Sequence, residues 1–272
     1  MNSAGGFMDF DHYLAYFEAC GGTDVPYLRL HFPRFLATRQ RFLSQRNNEA
    51  RGALLDVGAH WLHQSLLYAL DGFAVTAVDV PTTFDDMHVR ALAERHGIRL
   101  LSEPEPERAH ALRALPENSV DVVLFTEIIE HITFNPVAMW REIYRVMKPG
   151  GRIVVTTPNF YGLRRLLRAT GRFVRGEGGS VAVDSILHQP SFAHHWKEYS
   201  LRELRHYFCT LSSDFVPGHT AYVTKYEASA VHPAIDTILR CIESLFPSLR
   251  PNLYVEIVLL QKTQEIAIDP QW

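Results

Sequence analysis

The segment LPENSVDVVLFTEIIEHITFNPVAMWREIYRVMKPGGRIVVTTPN, residues 115–159, constrains the fold of this chain more than any other stretch. Val120, Val122, Val123, Leu124 and Phe125 form a nearly continuous apolar run, which is what a strand needs when both faces of a parallel sheet are covered. Polar chemistry begins abruptly at its carboxyl end with Thr126, Glu127, Glu130 and His131. An open α/β sheet binds its ligands in the crevice beyond the strand termini, so these four residues fall where a ligand would sit. A helix over 136–147, the turn Lys148-Pro149-Gly150-Gly151 and a second strand, RIVVTT, complete the unit.

The same alternation runs through the rest of the chain. From Gly52 the pattern reads strand (ALLDV), helix (61–70), strand (FAVTAVDV), helix (84–96) and strand (IRLL). After the 115–159 unit come a helix over 200–209, a strand over 215–224, a helix over 232–246 and a last strand from Leu253 to Gln261. This predicts an α/β fold with a doubly wound, mostly parallel, seven-stranded sheet. Residues 1–50 are expected to form a helical N-terminal cap, with helices over 9–20 and 32–46 broken by Gly21, Gly22, Pro26 and Pro33. Residues 51–272 are expected to form the main domain, with an insertion at about 160–195 that holds an arginine-rich helix and the run GEGGS.

With 272 residues and 47% hydrophobic composition, the chain can bury one large core or a core with a small cap. A formal charge of -3 argues against a general nucleic-acid binder. Cys20, Cys209 and Cys241 are odd in number and far apart, which suits a reducing cytoplasm better than a disulfide framework. The first residues lack the basic-then-apolar order of a signal peptide, and no apolar run is long enough for an integral membrane span.

In LLDVGAHWLHQSLLYALDGFAVTAVDV, Asp56 and Gly58 close one strand and Asp79 closes the next. A glycine there lets the backbone approach a ligand, and an acid roughly 20 residues further on can accept hydrogen bonds from ribose hydroxyls. The alternative is that Asp56 and Asp79 merely cap strand ends and helix starts.

Together with the 115–159 unit, residues 52–262 resemble the Rossmann-like S-adenosylmethionine-dependent methyltransferases. Their first motif is similar to D-x-G-x-G-x-G, and here it reads Asp56-Val57-Gly58-Ala59-His60-Trp61-Leu62, with His60 and Leu62 in place of two glycines. The resemblance implies S-adenosylmethionine as cofactor. It implies that Asp79 and Val80 hold the ribose end, that the loop Asp56, Gly58, Ala59 and His60 holds the amino-acid portion, and that Thr126 and Glu127 line the floor.

Glu127, Glu130 and His131 would share one face if the turn were helical. Their oxygen and nitrogen donors suit magnesium, manganese or iron. His195, in His194-His195-Trp196, offers a further ligand. These four residues also resemble the Glu-x-x-Glu-His group and later histidine of metal-dependent small-RNA 2′-O-methyltransferases. Without a metal, Glu130 caps a helix and His131 packs or touches substrate. His131 and His195 are the candidate general bases, since a neutral imidazole can take a hydroxyl proton near pH 7.

Tyr13, Tyr16, Phe17, Tyr27, His31 and Phe35 could roof an acceptor pocket or simply pack helices. Arg164, Arg165, Arg168, Arg172 and Arg175 follow helical spacing among leucines, which gives a basic amphipathic helix that could face water, an anionic ligand, RNA or a membrane surface. The expected acceptor is a small molecule, methylated at a hydroxyl of a natural product or sugar. RNA as substrate and a non-catalytic methyltransferase-like binding role are the alternatives, and the sequence leaves the oligomeric state open.

Overall fold

The computed structural model describes residues 9–46, 51–178, 181–226 and 232–270. Helices α1 (Phe10–Ala19) and α2 (Val25–Ser44) lead into β1 (Ala53–Val57), α3 (His63–Leu70), β2 (Ala74–Asp79), α4 (Pro81–Phe84), α5 (Met87–His96) and β3 (Arg99–Ser102). Then come β4 (Val120–Thr126), α6 (Val137–Val146), β5 (Met147–Pro158), α7 (Leu163–Val174), α8 (Val183–His188), α9 (Leu201–Leu211), β6 (Phe215–Val223), α10 (Pro233–Leu245) and β7 (Asn252–Leu259). The strands form one seven-stranded sheet in the order β3-β2-β1-β4-β5-β7-β6. The pairs among β1 to β5 are parallel, and β7 runs antiparallel to both β5 and β6. The mostly parallel, doubly wound sheet expected from the alternation is therefore present.

Strand β4 shows why its sequence lacks polar positions. Val123 and Phe125 enter the core on one face, with Trp140, Ile143 and Phe208 from α6 and α9. Val122 and Leu124 enter the core on the other face, with Leu66, Phe32 and Phe42 from α3 and α2. Successive side chains point to opposite faces of a strand, so a central strand between two helical layers must be apolar throughout. The next strand start departs from the expected turn. Met147 already pairs with Val120, and the register shifts before Arg152 meets Val122, so Lys148-Pro149-Gly150-Gly151 is a bulged entry to β5. Lys148 Nζ donates to Asp121 at 2.8 Å, and Gly150 takes φ +82°.

The two N-terminal helices pack on the face of α3, and α2 is longer than the prolines suggested. Pro26 lies in its first turn, where no backbone N–H is needed, and Pro33 lies within it. Leu28, Phe32, Phe35 and Phe42 recur on one face and are buried, so packing outweighs a cost of about 3 kcal/mol for an interior proline. On the opposite layer, α9 starts at a capping box in which Ser200 and Glu203 exchange hydrogen bonds, immediately after the segment carrying His194 and His195. Among the described residues, no helix is long and apolar enough to cross a membrane.

Candidate active site

Strands β1 and β2 end side by side, with Val57 opposite Val78, and the chain leaving β1 folds over the end of β2. The N–H groups of Gly58 and Ala59 both donate to the Val78 carbonyl, at 2.9 and 3.3 Å. Gly58 takes φ +74°, and a Cβ there would come within 2.1 Å of Ile128 Cδ1, so glycine is required on both counts. His60 and Leu62 adopt φ +49° and +65°. The loop thus keeps a glycine-like backbone while carrying two side chains, at a strain of about 1 kcal/mol or more each. Leu62 is fully buried in the core. The His60 N–H is held by Asp79 Oδ2 at 2.6 Å.

Asp79 also accepts the Val80 N–H at 2.7 Å through Oδ1. Burial raises its pKa. An ionised carboxylate has acceptor capacity beyond two amides, so Asp79 remains able to take ribose hydroxyls. Asp56 is placed differently. It is buried, accepts the Ser65 hydroxyl at 2.6 Å and is pushed up to about 7, first by burial and then by the Asp79 charge. It braces β1 against α3 and does not face an open cleft.

Helix α2 lies over this loop. The Tyr27 ring sits 4.7 Å from the His60 ring and 4.2 Å from that of His31. Burial lowers the pKa of His31 and of His63 to about 4, and that of His60 in the same direction. Of the aromatic residues expected to roof a pocket, Tyr13, Phe17 and Phe35 are instead core residues, with Tyr13 donating its hydroxyl to the His63 carbonyl at 2.6 Å. Tyr16 is 40% exposed and meets His96. Tyr27 stands against the loop through His60, and His31 packs on Tyr27.

At the end of β4, Thr126 Oγ1 donates to Gln64 Oε1 at 3.0 Å, and the Glu127 N–H to the Thr156 carbonyl at 2.8 Å. Glu127 itself takes φ +54°, and the following 3-10 turn covers Ile129–His131. The expected helical face carrying Glu127, Glu130 and His131 is therefore absent, because the left-handed residue breaks the helical phase. Glu127 pairs with Arg34 of α2 at 3.5 Å.

The structure does bring Glu130, His131 and His195 together, with one ligand atom from each all lying within 4.8 Å of one another. The imidazoles meet edge to face, with centroids 4.8 Å apart. His131 Nδ1 must carry hydrogen, since it contacts the His194 carbonyl at 3.1 Å, and this leaves the Nε2 lone pair directed elsewhere. Burial, and then the neighbouring His195, lower the pKa of His131; burial, and then Arg34, lower that of His195. Glu130 is completely buried. Its Oε2 accepts the Thr157 hydroxyl at 2.9 Å, and its Oε1 has no hydrogen-bond partner and lies 3.9 Å from His131 Nε2. Burial, reinforced by Glu127, drives its pKa well up.

Three contributors were not read from the sequence. Arg34 supplies a buried cation from α2, His63 stacks beneath Tyr27, and Thr157 orients Glu130. The spacing of Tyr27, His31 and Arg34, at i, i+4 and i+7, would have placed Arg34 on the same helix face.

The buried polar atoms at this edge fit a polar ligand that spans the loop and the end of β4. His60 Nδ1, Glu127 Oε1 and Thr156 Oγ1 are buried without hydrogen-bond partners, whereas such groups are ordinarily paired. A surface cleft of about 400 Å³ lined by Gln40, Arg41 and His219 shares none of these residues.

Residues 55–155 match the methyltransferase-domain family. A ubiquinone biosynthesis O-methyltransferase of Xanthomonas oryzae pv. oryzae is 26% identical over 193 residues, covering 70% of this chain and 73% of that protein. Among solved structures, a SAM-dependent methyltransferase from Archaeoglobus fulgidus matches with TM-score 0.51 and 15% identity, over 92% of this chain and 100% of the other. A Haemonchus contortus phosphoethanolamine N-methyltransferase 2 in complex with S-adenosyl-L-methionine matches with TM-score 0.52 and 16% identity, over 92% of this chain and 60% of the other. At these identities the two structures establish the fold.

Proposed function

We propose that this chain is a Rossmann-like S-adenosylmethionine-dependent methyltransferase whose small-molecule acceptor is methylated at oxygen, with His131 or His195 as general base. The observation that carries this reading is the His131–His195 pair beyond β4, two imidazoles in contact and both held toward the neutral form. A neutral imidazole with a free lone pair can accept a hydroxyl proton as the new bond forms, an effect of about 10²–10⁴-fold. The O-methyltransferase activity named for the Xanthomonas relative supports an oxygen acceptor.

Asp79 would hold the ribose hydroxyls, the N–H groups and walls of Gly58, Ala59 and His60 the methionine portion, and Thr126 and Glu127 the floor. Bound there, S-adenosylmethionine supplies an activated methyl group, so the protein mainly aligns the acceptor and excludes water. Tyr27 and His31 would close the site from above.

A second reading has its own observation. The unpartnered Oε1 of a fully buried Glu130, beside His131 and His195, has the donor chemistry of a magnesium, manganese or iron site. In this reading His131 Nε2 is a metal ligand, and the proton falls to another base or to a metal-polarised hydroxyl. Glu127 would remain outside the ligand set, paired with Arg34. Transfer to a phenolic or sugar hydroxyl, followed in excess chelator, separates the two readings. Full activity in chelator, with loss in His131→Ala or His195→Ala, supports general-base catalysis. Loss of activity in chelator, together with bound metal detected by atomic emission and absent from His195→Ala, supports the metal. Activity undiminished in both variants rejects both.

A further inference from the structure

Lys197 and Glu198, adjacent in the segment before α9, turn opposite ways. Lys197 goes outward, its Nζ reaching Glu203 of the α9 cap at 2.9 Å and lying over the Tyr199 ring. Glu198 goes inward and is only 15% exposed, although a glutamate in a connecting segment ordinarily faces water. Its Oε1 stands 3.6 Å from Nδ1 of His195, and its Oε2 pairs with Arg165 of α7. The backbone around these side chains is pinned on two sides. The Trp196 N–H donates to the Glu130 carbonyl in the turn after β4, at 2.8 Å, and the Tyr199 carbonyl accepts the Phe160 N–H in the turn after β5, at 3.0 Å.

Arg165 is itself held in place. Its guanidinium stacks on the Phe160 ring at 4.2 Å and its Nη1 donates to the Phe160 carbonyl at 3.3 Å. The neighbouring Arg164 fastens α7 to Asp236 and Glu243 of α10, at 2.8 and 3.0 Å. With Oε2 of Glu198 taken by a fixed guanidinium, Oε1 is left for the imidazole. An ionised carboxylate only accepts hydrogen bonds, so the ring nitrogen that faces it carries hydrogen. His195 is thereby set as the Nδ1–H tautomer, with its lone pair on Nε2. His131 is anchored through the same nitrogen, by the His194 carbonyl at 3.1 Å, and the two rings meet edge to face with centroids 4.8 Å apart. The 3.6 Å contact is somewhat longer than a hydrogen bond, and such contacts commonly tighten when substrate binds.

We propose that Glu198, held by Arg165, is a positioning residue that fixes the tautomer and tilt of His195, so that Nε2 presents its lone pair to the site. This rests on the reading of His195 as a working residue and deepens it. It applies whether Nε2 takes the acceptor's proton or binds a cation, since both require the lone pair on that nitrogen. It also gives the arginine-rich insertion a part in the chemistry, because α7 supplies the guanidinium that keeps Glu198 turned toward the imidazole.

Nitrogen NMR of the whole protein carrying isotope-labelled histidine reads the tautomer directly, with the His195 signals assigned by their loss in His195→Ala. The Nδ1–H form is expected in the parent, and Glu198→Ala should release the ring toward the other tautomer. In methyl transfer to a phenolic hydroxyl, Glu198→Ala should lose about 10- to 100-fold in kcat with KM little changed. Glu198→Gln, which keeps an acceptor oxygen and the side-chain shape, should recover part of that loss. A parent in the Nε2–H form overturns the proposal, as does a tautomer that Glu198→Ala leaves unchanged or a loss of equal size in the alanine and glutamine variants. A loss confined to KM overturns it too, because it puts Glu198 against the acceptor itself. Full activity in His195→Ala removes this proposal together with the reading of His195, whereas an inactive His195→Ala beside a fully active Glu198→Ala removes this proposal alone.

Discussion

The Arg34 guanidinium stands 3.5 Å from the Glu127 carboxylate and so ties the N-terminal helical layer to the carboxyl end of β4. Each side chain is only 15% exposed, and Glu127 also raises the pKa of Glu130. Arg34 is therefore the cation that makes two neighbouring acids tolerable.

Replacing Arg34 by alanine should cost about 1–3 kcal/mol, because it leaves Glu127 without its partner in a largely buried place. Urea denaturation measures this, and Arg34→Ala/Glu127→Gln should recover part of the loss. If the single variant is as stable as the parent, the pair does not fasten α2.

Asp79→Ala should weaken binding of S-adenosylhomocysteine by about 10- to 100-fold in calorimetry, since a carboxylate held beside the ribose makes charge-assisted bonds. Unchanged affinity would move the ribose away from β2.

His60→Gly and Leu62→Gly should differ in outcome although both residues have left-handed backbones. At His60 about 1 kcal/mol of relieved strain offsets the lost contact with Tyr27, so thermal stability should change little. At Leu62 the same relief is outweighed by about 2–5 kcal/mol for emptying a fully buried position. Equal melting temperatures for the two variants would contradict this.

Acidification should separate His63 from Asp56. Burial holds His63 at about 4 in the folded protein, so between about pH 6.5 and 4 the unfolded chain binds a proton that the folded one does not. Its stabilisation is complete above that window and is lost as pH falls, by at most about 1.4 kcal/mol per pH unit. Asp56, raised to about 7, works in the opposite sense and favours the folded state as pH falls from about 7 to 4. Melting temperatures between pH 7.5 and 5 should fall less in His63→Gln than in the parent and more in Asp56→Asn. Parallel curves for all three would show that neither group titrates as its burial demands.

Much of the framework was legible because each element carries its own periodicity. The apolar run of β4 declared a strand covered on both sides, and its alternation divides Val123 and Phe125 from Val122 and Leu124 as a two-layered packing requires. Helix α2 was harder to read. Pro33 is a local signal to stop, and it is overruled by the burial of Phe32, Phe35 and Phe42, which no local rule registers.

The site was legible by residue type and not by arrangement. Glu130, His131 and His195 were anticipated and do converge, although His195 reaches the others from a distant part of the chain. Helical spacing placed Glu127 with them, and its left-handed backbone sends it to Arg34 instead. A φ of +54° at a glutamate cannot be inferred from its neighbours, because it is enforced by the Thr156 carbonyl that takes its N–H and by the turn that follows.

By itself the sequence determined the strand and helix order, the acids that close β1 and β2, and the amphipathic character of α7, since these depend on spacing along the chain. Only the tertiary structure decided that α2 would cover the loop after β1 and that Arg164 and Arg165 of α7 would turn to distant carboxylates while Leu167, Phe173 and Val174 stay exposed. Those outcomes depend on which distant carboxylates, Asp236, Glu243 and Glu198, arrive opposite the guanidinium groups, and partners so far apart in sequence meet only once the sheet has brought their elements together.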